Sequence, residues 1–199
     1  MTSSAGGFHA RLEALPSRGR LAFMAALIER MWPNYALYAE MSGVGDPKVL
    51  RNVLDLAWEA LAVKDAAIDF DKQAEKLAAQ EPPESDGSFG ARRAVEVVMA
   101  MAALLDALRG EAPEAPRDVS RLSRDGVHAY IEMTDGAEDD DAERLAARVR
   151  EHPLMDDEHG FQEAVLECVE APLTRDALKA LRRLGRNEGV SNLGLSADA

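Results

Sequence analysis

The chain has 199 residues, 47% of them apolar, the size of one globular domain that buries its core without staples. Its 36 acidic and 23 basic side chains leave a formal net charge of −13, a field that repels phosphate backbones and anionic lipid and argues against nucleic-acid and membrane partners. The lone cysteine, Cys168, excludes an internal disulfide framework, and no apolar run has the length of a secretory signal or a bilayer span, so a soluble cytoplasmic protein is expected.

Apolar residues recur at helical spacing almost everywhere, with no convincing alternation of the kind a strand requires. In chain order, Leu21, Met24, Ile28, Met31 and Tyr35 trace a first stripe. Pro33 falls inside it and would remove a bond to Glu29 at a cost of about 3 kcal/mol, which predicts a kink near Trp32 or two helices meeting there. Gly43 and Gly45 end the segment. Asp46-Pro47 then supplies an N-cap followed by proline, and Leu50, Val53, Leu54, Ala57, Trp58 and Leu61 make the clearest apolar face in the chain. A shorter helix is predicted over Asp69–Ala79, stopping before the loop "EPPESDGS". "AVEVVMAMAALLDAL" is apolar nearly all round, the mark of a helix surrounded by its neighbours. "GEAPEAPRD" reads as a second loop. Further helices are predicted at about Ser120–Thr134, Glu138–Glu151, Pro153–Glu170 and Thr174–Arg186. There are no internal repeats and no linker long enough to divide domains. The expectation is an all-α single-domain bundle of about seven to nine helices around one apolar central helix, over residues 1–187. Residues 188–199 form a tail that docks on the body or stays flexible beside it.

That tail, "NEGVSNLGLSADA", spaces Gly189 and Gly194 as a phosphate-binding loop does. Such a loop needs a lysine that reaches the phosphates and a preceding strand, and here Leu195 stands at the lysine position with no strand upstream. The segment reads instead as a helix end whose Val190, Leu193 and Leu195 can dock. Asp156, His159 and Glu163 follow one another along one helical face and are the metal-ligand candidates. A di-metal bundle needs a second carboxylate-x-x-histidine unit, which the chain lacks. His152, before Pro153, sits at the cap and points elsewhere. The competing reading is a solvated helix start with acids set against the helix dipole. "AEDDDAE", from Ala137 to Glu143, has neither the alternating ligands nor the glycine of a calcium loop and reads as a helix start.

Asp71 and Glu75 lie one turn apart, as a general acid and base would, but interleaved Lys72 and Lys76 favour a solvent-facing helix. Trp32, Asn34, Tyr35 and Tyr38 concentrate aromatic and amide groups that either line a ligand pocket or pack the core. Glu96 sits in the most apolar helix and needs a partner, Arg92, Arg93 or Arg30, or else a cavity or interface to face. Cys168 shares a stripe with Phe161 and Val165 and is expected to be a small buried hydrophobe.

Taken together, "FMAALIERMWPNYALY", "GDPKVLRNVLDLAWEAL", "VKDAAIDFDKQAEK" and "EGVSNLGLS" resemble the YjaG-like family of bacterial proteins, a domain of unknown function. The resemblance implies an all-helical cytoplasmic domain and carries no catalytic residues with it. "SFGARRA" has arginines where a tyrosine-containing stretch is expected, and Gly136 to Leu184 is the least similar part. No catalytic motif is found and no cofactor is expected. The reading preferred on sequence is an interaction protein, acting on a protein partner or on a second copy of itself. The alternative is a small-molecule- or metal-binding protein or enzyme with a site between helices.

Overall fold

A computed structural model describes residues 7–136 and 141–196. Among these residues there are nine α-helices and no strands. The innermost helix is α2, Ser17–Ser42. Every residue from Ala22 to Ile28 is fully buried, so this helix has no solvent face along its middle. α3 (Pro47–Ala62), α5 (Phe89–Leu108), α6 (Ala115–Asp135), α8 (Pro153–Glu170) and α9 (Arg175–Arg186) all pack against it.

Of the two outcomes predicted near Trp32, a meeting of two helices does not occur, and α2 runs continuously through Pro33 to a left-handed Gly43. The energetic comparison is one-sided. An internal proline costs about 3 kcal/mol, whereas each large apolar side chain fully buried contributes about 1.5–3 kcal/mol. Met31, Tyr35 and Tyr38 flank Pro33 and are all buried, and a break would withdraw at least the two tyrosines from the core.

Local caps set the other helices. Asp46 accepts from the Lys48 amide at 2.9 Å to start α3, whose predicted stripe of Leu50, Val53, Leu54, Ala57, Trp58 and Leu61 is wholly buried. Asp69 caps α4 (Phe70–Ala78), Ser88 caps α5, His152 caps α8 and Thr174 caps α9. α5 lies between α2, α3, α4 and α6, as its composition requires, though Met99 reaches solvent. "GEAPEAPRD" is only half a loop: Ala115 begins α6, and Pro116 fits its first turn because the amide it lacks would have no helical partner there. α7 spans Ala142–Arg150, capped by Asp141, and the expected start at Glu138 lies outside the described residues. α1, Phe8–Ala14, was not foreseen. Only Leu12 in it is buried, and Arg11 fastens it to α8 through Glu163 and Glu170. No helix among the described residues is long and apolar enough to cross a membrane.

Burial of α2 extends to a charge. The Glu29 side chain is fully buried and accepts from Arg51 of α3 at 2.7 Å and Arg182 of α9 at 3.0 Å. Arg51 stacks over Trp32 and Arg182 over Trp58, while Asp55 completes the cluster by pairing with Arg182. Removing one member of such a buried cluster leaves an uncompensated charge, at about 3–5 kcal/mol. Beside it α9 crosses α2 at Gly185, where a Cβ atom would stand 2.6 Å from the Ala26 carbonyl oxygen and 2.9 Å from the Glu29 Cβ. Gly185→Ala is therefore expected to lower unfolding stability by about 1–3 kcal/mol. At Gly160, inside α8, an added Cβ meets nothing within 4 Å. Gly160→Ala is expected to raise stability by about 0.5–1 kcal/mol. Urea unfolding midpoints of the two variants check this, and equal shifts of one sign would contradict it.

Candidate functional site: a cleft floored by the C-terminal segment

After α9 the chain turns through left-handed Asn187 and Glu188, and Val190 bridges Ser196. This tight loop plugs back into the body. Ser191, Asn192 and Leu193 are almost wholly buried, and the Ser191 hydroxyl accepts from the Leu193 and Leu195 amides. Asn192 is its anchor. The backbone amide donates to the Arg30 carbonyl at 3.2 Å, the side-chain oxygen accepts from Asn34 at 2.8 Å, and the side-chain amide donates to the Ser123 carbonyl at 3.1 Å.

From Ser123 a buried polar seam continues inward. The Ser123 hydroxyl donates to Glu158 at 2.6 Å, Gln162 donates to the same carboxyl oxygen at 2.7 Å, and the Ser120 hydroxyl donates to Gln162 at 2.7 Å. Glu158 has no solvent exposure, and burial pushes its pKa up despite these donors and Arg30 nearby. The second Glu158 carboxyl oxygen is buried without a hydrogen-bond partner.

The tail does not cover all of α2. Beside it opens a mainly apolar cleft of about 460 Å³. One wall is the last part of α2, with Leu37, Tyr38 and Met41. Opposite stand Phe89, Gly90 and Arg93 from the start of α5, and Tyr130 and Met133 from the end of α6. Leu193 and Leu195 close the tail side. At the mouth the Tyr38 hydroxyl donates to Asp86 at 2.9 Å, and Asp86 also accepts from the Ser88 amide. The Ser88 side chain and amide, with the Tyr38 hydroxyl, hold the Asp86 carboxyl below its usual range, while burial and the bond to Asp86 raise the Tyr38 phenol.

Arg93 is the buried charge of the cleft wall. Its guanidinium lies 4.7 Å over Phe89, donates to Glu96 at 2.7 Å and reaches the Gly126 carbonyl at 3.3 Å. The approach of α6 to this pair is close, and a Cβ on Gly126 would stand 3.1 Å from a Glu96 carboxyl oxygen. Burial raises the Glu96 pKa from 4.5 to about 7, opposed by Arg93 and Arg92 and reinforced by Asp125. Two polar atoms of the lining residues, Asn34 Oδ1 and Arg93 Nε, are buried without a hydrogen-bond partner.

The residues singled out by sequence therefore scatter. Asn34 and Tyr38 lie in the cleft, and Glu96 stands behind its wall, paired with Arg93. Tyr35 turns inward and donates to the Gln80 carbonyl at 2.7 Å, while Trp32 lies under Arg51. Asp71 is exposed and paired with Arg109, and Glu75 is exposed on the same helix. Asp156 and His159 are exposed and Glu163 is bound to Arg11. Among the described residues no three His, Cys, Asp or Glu side chains converge to hold a metal ion. Cys168 is exposed, not buried: the inward row on α8 continues Phe161, Val165, Val169, one position past it. Sequence reasoning missed Phe89, Tyr130 and Met133, and named Arg93 only as one possible partner of Glu96, the one the structure shows. The one signal for them was an Arg and a Glu three apart in an otherwise apolar helix.

A family profile described as "Protein of unknown function (DUF416)" matches residues 7–196. The chain belongs to the DUF416 family. It is 37% identical over 193 residues to the "Uncharacterized protein YjaG" of Escherichia coli (strain K12), covering 94% of this chain and 95% of that one. An uncharacterized protein of Haemophilus influenzae is 34% identical over 192 residues, with the same coverage. The crystal structure of a DUF416 family protein from Shewanella baltica superposes with a TM-score of 0.88 at 34% identity, covering 96% of this chain and 99% of that one. The all-helical expectation thus holds for the DUF416 fold. The two segments carrying much of the resemblance, residues 23–38 and 188–196, meet in space at the Asn34–Asn192 hydrogen bond.

Because the Glu96 pKa is raised from 4.5 to about 7, the native state keeps a proton that the unfolded chain releases. Its contribution to stability is complete below the lower value and is lost as pH rises through the upper one. Between pH 5 and 8 the wild type is expected to lose on the order of 2–3 kcal/mol relative to Glu96→Gln. Urea unfolding across pH checks this, and parallel profiles would contradict it.

Proposed function

We propose that this protein is a cytoplasmic binding protein for a small, mostly apolar organic molecule, held in the cleft between α2, α5, α6 and the C-terminal segment. One observation carries the reading: the cleft, about 460 Å³ and predominantly apolar, is lined by two residues that each keep a buried polar atom unpaired, Asn34 and Arg93. Small-molecule sites have this volume and this make-up, an apolar lining with a few polar groups that fix orientation. Among the described residues seven buried side-chain polar atoms lack a partner, and two of them, Asn34 Oδ1 and Arg93 Nε, belong to residues that line this cleft. The role proposed is binding: the Asp86 carboxylate in the lining is already engaged by the Tyr38 hydroxyl and by Ser88.

A second reading is self-association through the cleft mouth. It is favoured by Met41, 80% exposed, and Met133, 53% exposed, which stand on the rim and leave flexible apolar surface in solvent.

Gly90 separates the two. An added Cβ there meets only Tyr38, at an ordinary 3.6 Å, so a larger side chain enters the cleft without disturbing the helix start. Wild-type protein is expected to bind the neutral dye N-phenyl-1-naphthylamine saturably at one site. Gly90→Trp is expected to lose at least tenfold in affinity at an unchanged melting temperature. Dye binding that ignores this substitution would sink the ligand reading. A dimer in light scattering that Met41→Glu dissociates would favour the second.

A further inference from the structure

We infer that the occupant of the cleft is a small organic carboxylate, its apolar body against Leu37, Met41 and Tyr130 and its anionic end directed to Arg93. This rests on the binding function proposed above and adds the chemical class of the ligand.

The lining residues carry two formal charges, and only one is available. Asp86 already accepts from the Tyr38 hydroxyl at 2.9 Å and from the Ser88 amide at 3.0 Å. Arg93 is 8% exposed, donates once to Glu96 and once, at a long 3.3 Å, to the Gly126 carbonyl, and leaves Nε without an acceptor. A planar guanidinium fork with free donors matches a carboxylate edge-on, and the Phe89 ring under it holds the fork in place. A phosphate dianion would need more donors than one arginine in an apolar wall supplies. An ammonium ligand would meet Arg93 itself.

Glu96 is the internal competitor for the same guanidinium. The charged groups around it are Arg92 and Arg93 on α5 and Asp125 on α6. A ligand carboxylate and an ionised Glu96 would place two anions on one cation within the wall, so binding of the ligand favours the protonated form of Glu96. Burial has already brought the Glu96 pKa to about 7. The coupling follows by linkage: an anionic ligand takes up a proton with it, and its affinity falls as pH rises through neutrality.

The test is competition against the bound dye by octanoate, octan-1-ol and octylamine, on the full chain at about 0.15 M salt, where long-range fields are screened within about 8 Å. Octanoate is expected to compete roughly tenfold better than octanol, the gain of a charged hydrogen bond, and octylamine worst, although the net charge of −13 favours an amine everywhere else on the surface. From pH 6 to 8.5 the octanoate affinity is expected to fall several-fold while that of octanol stays level. Glu96→Gln is expected to restore octanoate affinity at pH 8.5, and Arg93→Gln to erase the preference for octanoate. Because Arg93→Gln also removes a buried link between α5 and α6, the Glu96 variant, which retains an acceptor for Arg93, is the decisive one. Equal competition by octanoate and octanol, or an octanoate affinity that Glu96→Gln leaves unchanged, overturns the carboxylate while the cleft reading stands. Failure of all three to displace a dye that binds in the cleft also overturns it, whereas absence of dye binding overturns the cleft reading beneath it.

Discussion

A helix without a solvent face has to satisfy its own polar side chains inside the protein. Along its middle α2 is such a helix, and Glu29, Arg30 and Asn34 lie on that buried stretch or at the edge of it. Each recruits a different part of the chain. Glu29 collects the arginines of α3 and α9, Arg30 lies over Phe161 of α8 and offers its carbonyl to the tail, and Asn34 binds Asn192. An unpaired buried charge costs several kcal/mol, so these contacts select the arrangement of helices as much as the apolar stripes do. The apolar stripes say only which faces turn inward.

The same constraint builds the cleft. Asn192 can reach Asn34, the Arg30 carbonyl and Ser123 only if the chain after α9 doubles back between α2 and α6. The turn through Asn187 and Glu188 does this, and the Ser191 hydroxyl holds the loop closed. Leu193 and Leu195 then become one side of a trough whose other sides are the last turns of α2 and α6 and the first turn of α5. Those are helix ends, where fewer neighbours pack, so space remains. Arg93 enters the wall because Phe89 stacks with it and Glu96 pairs with it, which makes a charge tolerable beside apolar surface.

What could be read from sequence divides along this line. Caps and stripes are local, so Asp46-Pro47 with its six apolar positions, Pro153–Glu170 and the Thr174 start all stand where spacing places them. Pro33 does not divide α2, because its local penalty is outweighed by burial of Tyr35 and Tyr38, which depends on partners distant in the chain. α1 leaves almost no stripe, having one buried residue. Asn34 and Tyr38 were legible as an aromatic and amide cluster, but the rest of the cleft comes from three other segments brought together only by folding. Glu158 was invisible for a different reason. Between Asp157 and His159 it reads as one more acid on a charged helix face, yet that single position points inward at Ser123.

The central claim is that residues 191–195 are an integral part of the interior, held by α2. Amide hydrogen exchange resolved to single residues tests it most directly. The Ser191 and Asn192 amides, bonded to the Leu195 and Arg30 carbonyls, should exchange as slowly as the buried centre of α2, opening only when the whole molecule unfolds. Exchange of these amides at the rate of the exposed Gly43–Gly45 turn, with α2 still protected, would contradict the account.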